Sequence, residues 1–283
     1  MNRIWTIIEK FGSIDRRIIY ALVFLATAIP LFFNVRIPMP VSPEVKSAFE
    51  AMDKLKPGDV ILISTDYGPS SAPETQPMLE AFLTHAFKKD LKVLLMTHWR
   101  FEGLIMGVEG LDKLAKKFNK KYGEDYIVLG YRPGATAVMI GMAQDFRNIF
   151  ATDNEGKPID SYPMYKEIAG PDGILNYDDI SLIIGLEAGA IGTFWVMIVN
   201  ARYGVPIVLG TTAVQAPDFF PFYQSKQLVG LLGGLKGAAD YEQLLNITGF
   251  ASRGMVSQLA VHALIIILIF LGNLSDIARR FRS

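Results

Sequence analysis

Two long uncharged apolar runs stand near the ends of the chain. The first covers residues 18–33, extended by Asn34 and Val35, and the second covers residues 255–272. A helix needs about 20 mainly apolar residues to cross a bilayer, and both runs approach that length. The pattern predicts transmembrane helices at residues 18–35 and 255–272. Ala26-Thr27-Ala28 has the small-x-small form of a signal-peptidase site, but the apolar run continues beyond it and favours a retained anchor.

Between these runs, short apolar segments alternate with segments of helical periodicity. The short segments predict five buried strands, at residues 59–65, 91–97, 126–130, 179–185 and 205–210. Helical spacing is present at residues 43–55, 74–89, 111–122, 135–150 and 190–202, and again at the apolar positions of residues 228–235. Buried strands joined through helices predict a parallel sheet. The expected fold class is α/β, with a Rossmann-like or flavodoxin-like parallel sheet domain between two transmembrane helices.

Two stretches depart from this regular alternation. Residues 182–200 are apolar and long enough for a third span, although Gly185, Glu187, Gly189 and Gly192 favour a strand, a turn and a helix. Residues 151–178 are rich in Asp, Pro, Gly and Tyr, which predicts a long loop with one short helix at residues 164–168.

Basic residues concentrate on the outer flanks of the two terminal runs. They are Arg3, Lys10, Arg16 and Arg17 before the first run, and Arg279, Arg280 and Arg282 after the second. Lysine and arginine beside a span favour the cytoplasmic side. We therefore expect a two-pass protein of the cell membrane with cytoplasmic tails at residues 1–17 and 273–283. The α/β domain, residues 36–254, is expected outside the cytoplasm.

Composition excludes several kinds of site. The 283 residues include 28 basic and 28 acidic side chains, so no basic excess indicates a nucleic-acid partner. The chain has no cysteine, which excludes disulfides, thiolate nucleophiles and cysteine metal sites. With three histidines and no HExxH motif, no metal site is predicted. The motifs GxxxxGK[ST] and GxGxxG are also missing, and no cofactor is predicted.

Candidate ligand-binding residues follow from the predicted sheet alone, because ligands of open parallel sheets bind beyond the carboxyl ends of the strands. In strand order the candidates are Asp66, Ser70 and Ser71, then His98, then Arg132, then Glu187, then Thr211 and Thr212. The alternative is that these are ordinary polar loop residues. Gly68-Pro69-Ser70-Ser71-Ala72 lies where a nucleophile elbow would lie, but its form is GxSxA, and a helix-capping or anion-binding role for the serines is preferred.

An aromatic segment precedes the second span and predicts a contact surface. Its members are Phe219, Phe220, Phe222 and Tyr223. Aromatic side chains settle at membrane interfaces and in contacts between subunits. The alternative is that this segment belongs to a last helix that covers the sheet.

The preferred function is non-enzymatic. The chain is expected to be a membrane-tethered module that contacts the lipid bilayer, assembles with itself or with other membrane proteins, and has room for a small-molecule ligand at its strand ends. The alternative is a hydrolase or transferase acting on an envelope substrate, with Asp66, His98 or Glu187 as the acid–base group and Arg132 holding an anion. Nucleotide or flavin binding is a third option.

Overall fold

The structure is a computed structural model that describes residues 14–33 and 37–280. The chain divides into two compact units. One unit is Met39–Ala251, and the other is formed by the two ends of the chain, Met1–Pro38 and Ser252–Ser283. Asn34 and Val35, which the predicted first span includes, lie outside the described residues, as do residues 1–13 and 281–283.

Six parallel strands form a single sheet. They are β1 Val60–Asp66, β2 Lys92–Thr97, β3 Tyr126–Tyr131, β4 Leu182–Glu187, β5 Ile207–Thr211 and β6 Gly230–Gly233. The order across the sheet is β3-β2-β1-β4-β5-β6. The expected α/β class with a parallel sheet is therefore confirmed. This order is the one known from doubly wound Rossmann sheets, and it reverses between β1 and β4, at the switch point of the sheet.

Helices connect the strands, and further helices precede and follow the sheet domain along the described part of the chain. In chain order they are α1 Arg16–Phe32, α2 Pro43–Asp53, α3 Ala72–Lys88, α4 Phe101–Phe118, α5 Ala135–Met142, α6 Pro163–Ile168, α7 Ile191–Phe194, α8 Ala201–Tyr203, α9 Ala216–Gln224, α10 Gly234–Leu244 and α11 Phe250–Arg280. A π-helical segment, Trp195–Asn200, joins α7 to α8.

The helices cover both faces of the sheet. On one face α3, α4 and α10 pack together and against the central strands. On the other face α5 and the π-helical segment cover a core that contains Leu62, Leu94 and Ile183. Side chains along a strand alternate between the two faces, so a strand covered on both sides must be apolar throughout. This explains the uninterrupted apolar runs by which the sequence predicts β1, β2 and β4.

The helical interpretation of residues 228–235 is wrong, because this stretch contains β6. Gly230 pairs with Val208 of β5 and lies against α2, where an added Cβ would be 2.4 Å from the Cβ of Ala48. The glycines that weaken a helix here permit this close approach. The last helix of the domain, α10, begins only at Gly234.

Two other helices differ in extent from their predictions. Helix α4 begins at Phe101, ten residues before the predicted start at residue 111, and α5 ends at Met142 instead of residue 150. A short 3₁₀ turn, Phe146–Asn148, follows α5. The predicted short helix at residues 164–168 is present as α6. The alternative of a third span at residues 182–200 is wrong, because β4 occupies the start of that stretch in the middle of the sheet.

Among the residues that the structure describes, α11 is the one helix long and apolar enough to cross a membrane. Its 31 residues extend for about 46 Å. Helix α1 is apolar after Arg17, but its 17 residues reach about 26 Å, less than the ~30 Å hydrocarbon core. The first span, the two-pass topology and the cytoplasmic tails remain predictions.

Helices α1 and α11 contact each other through polar groups as well as apolar ones. The Ser257 hydroxyl donates to the carbonyl oxygen of Thr27 at 2.9 Å, and Nη1 of Arg253 donates to the carbonyl oxygen of Leu31 at 3.3 Å. Leu31 is in the last turn of α1, where carbonyl groups lack a donor within the helix. A positive charge at the C-terminal end of a helix also interacts favourably with the helix dipole.

Candidate functional site

Three of the candidate residues meet at the switch point of the sheet. Asp66 is the last residue of β1 and pairs in register with Glu187, the last residue of β4. His98 follows the end of β2, on the other side of β1. Their side chains are buried, with exposures of 0% for Asp66, 3% for His98 and 1% for Glu187. The sheet therefore places three ionisable groups in its interior at one point.

Asp66 is bound on both of its carboxyl oxygens by neighbouring donors. Oδ1 accepts the backbone N–H of His98 at 2.6 Å and that of Trp99 at 3.1 Å. The Thr97 hydroxyl lies 3.1 Å from Oδ1 and shares its single hydrogen with the carbonyl oxygen of Thr65, at 2.8 Å. Oδ2 accepts the Ser64 hydroxyl. Both oxygens of this carboxyl group are thus occupied by donors from the protein. Asp66 thus holds the turn after β2 in place and has little capacity left for a ligand.

His98 has one ring nitrogen bound and one free. Its Nδ1 lies 3.3 Å from the carbonyl oxygen of Arg132. Because a carbonyl oxygen can only accept, Nδ1 carries the hydrogen. Burial lowers the pKa of His98, so the ring is neutral and Nε2 is an unprotonated acceptor. Nε2 is buried and has no hydrogen-bond partner.

Glu187 also has one atom bound and one free. Its Oε2 accepts the backbone N–H of Gly192, and Oε1 is buried without a partner. Burial raises the pKa of Glu187 to about 8 and the negative charge of Asp66 adds to that rise, although the bond from Gly192 opposes it. At neutral pH the carboxyl group is therefore mainly protonated. Because Oε2 already accepts a hydrogen bond, Oε1 is the oxygen that carries the proton.

Trp195 completes the group and was not among the candidates from the sequence. It opens the π-helical segment, its ring centroid lies 5.3 Å from that of His98, and its Nε1 is buried without a partner. The ring lies against Gly185, where an added Cβ would be 3.4 Å from Cδ1. We call Asp66, His98, Glu187 and Trp195 the switch-point cluster. Across the described part of the chain, the three free atoms of this cluster are the only buried side-chain nitrogen or oxygen atoms without a partner.

Two residues of the turn after β2 cover the cluster. The ring of Trp99 packs on Gly189 after β4, with Cη2 3.7 Å from the position of an added Cβ. Since β1 lies between β2 and β4, Trp99 must pass over the carboxyl end of β1 to reach Gly189. The Arg100 guanidinium stacks 4.5 Å above the Trp99 ring, and the Arg100 side chain lies against Gly68 after β1. Trp99 and Arg100 thus close the cluster from the strand ends.

The serine and arginine candidates have other contacts. Ser70 is exposed, and the Ser71 hydroxyl donates to the carbonyl oxygen of Gly68 at 3.1 Å without capping α3. Arg132 donates from Nε to the carbonyl oxygen of Ile149 at 3.0 Å and from Nη1 to that of Tyr131 at 2.9 Å. Arg132 therefore brings its carbonyl oxygen, and not its charge, to the cluster.

Of the two threonine candidates, one adjoins the cluster. Thr211 is buried and pairs in register with Glu187, and its hydroxyl donates to Oε1 of Gln215 at 3.3 Å. Gln215 in turn donates to the carbonyl oxygen of Gly189 at 3.2 Å, which links the turns after β4 and β5. Thr212 is half-buried, and its carbonyl oxygen accepts the backbone N–H of Gln215.

The aromatic segment is helical and belongs to α9. Phe219 is buried in the domain core, where it is not available to a partner. Phe220, Phe222 and Tyr223 are half-buried and pack against the same core. Their role in a contact with lipid or with another protein remains a prediction.

Neither a metal nor a phosphate group fits this arrangement well. The described residues hold no group of three or more His, Asp or Glu side chains suited to a metal ion. Glu187 occupies the N–H of Gly192, and an added Cβ there would overlap its carboxyl group, so this turn does not offer its amides to an anion. A surface cavity of about 610 Å³ beside Arg147 and Tyr165, and another of about 410 Å³ beside Ser47, are lined by other residues.

The fold and the site together define an α/β protein with a six-stranded parallel sheet and a closed polar cluster at its switch point. No protein-family model matches the chain, and no curated protein or solved structure matches it either.

Proposed function

We propose that this chain is a membrane-anchored α/β module that binds a small molecule at the switch-point cluster. The observation that carries the proposal is that one cluster contains three buried polar atoms without partners: Nε2 of His98, Oε1 of Glu187 and Nε1 of Trp195. A buried polar atom left without a partner costs about 1–3 kcal/mol. A molecule that pairs with all three atoms would remove that cost, and the switch point is where open α/β sheets bind their ligands.

The membrane part of the proposal rests on the two terminal helices. Helix α11 has the length and apolarity of a span, and the contact of α1 with Arg253 and Ser257 supports a paired anchor. We include in the proposal the two-pass topology, cytoplasmic tails and an extracytoplasmic domain. Assembly with further copies or other membrane proteins would use the half-buried aromatic residues Phe220, Phe222 and Tyr223.

The test is native mass spectrometry of the full chain, extracted from its own membranes without denaturation. We expect a non-covalent small molecule on the wild-type protein, and we expect W195F to lose it because this variant keeps the ring but lacks the N–H donor. The matched control is S70A, an exposed residue of the same rim, which should retain the molecule. Equal occupancy of all three proteins, or no bound molecule on any, would refute the proposal. The same spectra report the number of copies in the assembly.

An enzyme is the second candidate, and one observation favours it. His98 offers a free ring nitrogen, and the Arg132 carbonyl sets the orientation of its ring. The same cluster contains Glu187, whose pKa is raised to about 8. A base and an acid with shifted pKa values at one buried point are typical of sites for proton transfer. In an enzyme, H98Q would retain a molecule of different mass from the wild type, because substrate would accumulate in place of product. Identical bound masses would favour the binding module.

A further inference from the structure

The three free atoms of the cluster have defined hydrogen-bonding roles. Nε1 of Trp195 can only donate. Nε2 of His98 can only accept, because the ring hydrogen is on Nδ1, bound to the Arg132 carbonyl. Oε1 of Glu187 donates while the carboxyl group is protonated. The cluster therefore presents two donors and one acceptor. The complement is an oxygen that accepts twice, next to one N–H or O–H group.

The charges around the cluster act against a charged occupant. An anion would lie close to Asp66, and the donors around Asp66 are already used by its carboxyl oxygens. Arg132 offers no compensating charge, because its guanidinium is bound to the carbonyl oxygens of Tyr131 and Ile149. Arg100 lies outside, stacked on Trp99. A cation would find Nε2 of His98 as a free acceptor but no free negative charge, because Oε1 of Glu187 is protonated and the Asp66 oxygens are already bound.

We infer that the switch-point cluster takes a small uncharged molecule with an amide or hydroxyl group. Its oxygen accepts from Trp195 and Glu187, and its N–H or O–H donates to His98. This inference rests on the proposed function and specifies the chemical class of the ligand. It also predicts which classes the cluster rejects, namely carboxylates, phosphates and ammonium compounds.

The experiment uses the three tryptophans of the chain as reporters. The full chain, labelled with ¹⁵N-tryptophan in detergent micelles, gives indole N–H signals, and the Trp195 signal is assigned by its loss in W195F. Acetamide, acetate and ethylammonium, three probes of similar size, are titrated separately near pH 7, below the Glu187 pKa of about 8. We expect saturable movement of the Trp195 signal with acetamide alone. Saturation with acetate or ethylammonium, or no response to acetamide, would overturn the inference.

A pH series adds a second readout. Above the Glu187 pKa of about 8 the carboxyl group stops donating, so acetamide affinity should fall by about tenfold per pH unit. The charged group beside Glu187 is Asp66 from β1, and uncharged Thr211 of β5 pairs with Glu187 on the other side. His98, which binds Asp66 through its backbone N–H, and Trp195 belong to the same cluster. E187Q keeps an N–H donor at every pH, so its affinity for acetamide should stay constant as the pH rises. If the acetamide affinity of E187Q also fell with rising pH, the assignment of Glu187 as a donor to the ligand would be contradicted.

The two proposals fail in different ways. If mass spectrometry finds a retained molecule that is charged, the binding function stands and the neutral class is wrong. If nothing is retained and acetamide gives no response, both proposals fail, and the cluster holds water alone. S70A serves again as the control, since its acetamide response should equal that of the wild type.

Discussion

At the scale of single residues, Glu187 shows how position sets the state of a side chain. The same carboxyl group in a surface loop would be charged at neutral pH. At the end of a central strand it has no water, one amide donor from Gly192, and Asp66 as its register partner. These surroundings favour the protonated form, which makes a nominally acidic residue a hydrogen-bond donor.

The pKa of Glu187 makes the stability of the folded chain depend on pH. Its pKa is about 8 in the folded state, against the usual 4.5 expected in the unfolded chain. Between these values the folded state binds one more proton, so the free energy of unfolding falls as pH rises, by about 1.4 kcal/mol per pH unit through this group. E187Q cannot ionise and should lack that contribution. Denaturant unfolding at several pH values measures the difference, and parallel curves for the two proteins would contradict the prediction.

The rule that ligands bind at strand ends was enough to select Asp66, His98 and Glu187 from the sequence, because it needs only the strand boundaries. It could not find Trp195, which lies one turn of helix beyond the loop that follows β4 and reaches the cluster only through the packing of the crossover. It also could not determine the direction of the Arg132 side chain, which depends on the loop that carries Ile149. The position of Trp195 and the direction of the Arg132 side chain are both set by tertiary contacts that leave no pattern in the sequence.

At the scale of secondary-structure elements, glycine residues explain why the start of α4 and the strand β6 were predicted wrongly. Gly103, Gly107 and Gly110 interrupt the apolar periodicity of α4 and hide its first ten residues from pattern analysis. In the structure Gly103 and Gly107 let α4 lie close to β1, and Gly110 lies against α3. An added Cβ at Gly103 would be 2.2 Å from the carbonyl oxygen of Thr65. Residues that weaken a helix in isolation are thus required by its packing, and only the neighbouring strand reveals this.

The variant G103A tests this close packing. Its methyl group meets backbone, which cannot rotate away, so α4 must shift. We expect a loss of about 1–3 kcal/mol in the free energy of unfolding. E109A, at an exposed position of the same helix, should change stability by about 0.5 kcal/mol or less. Chemical denaturation of both variants makes the comparison, and equal stabilities would show that α4 is not held against β1 as described.

At the scale of the whole molecule, the chain separates a sheet domain from a unit built of its two ends. The sheet domain, Met39–Ala251, contains all six strands and the switch-point cluster. The apolar exposed side chains of α1 and α11 belong to the other unit. Hydropathy predicts a domain between two apolar ends, since lipid and water select different residues over long stretches, and the placement of both ends in a membrane stays a prediction.

Alkaline carbonate extraction of membranes tests the anchor. We expect the full chain to stay in the membrane pellet, because α11 would be held by its burial in lipid. A fragment of residues 39–251 has its own core and should be released into the supernatant. Release of the full chain, or retention of the fragment, would contradict the assignment of the membrane anchor to the chain ends.

The hydrogen bond between Ser257 and Thr27 joins residues 230 positions apart in the sequence. A ribosome adds about 5–20 residues per second, so α1 leaves it roughly 10 to 50 s before its partner helix exists. During that interval the entire sheet domain is synthesised while the first helix has no intramolecular neighbour. The length of the domain therefore sets how long any protein factor can stay bound to newly made α1. To complete the helix pair, α11 must displace that factor.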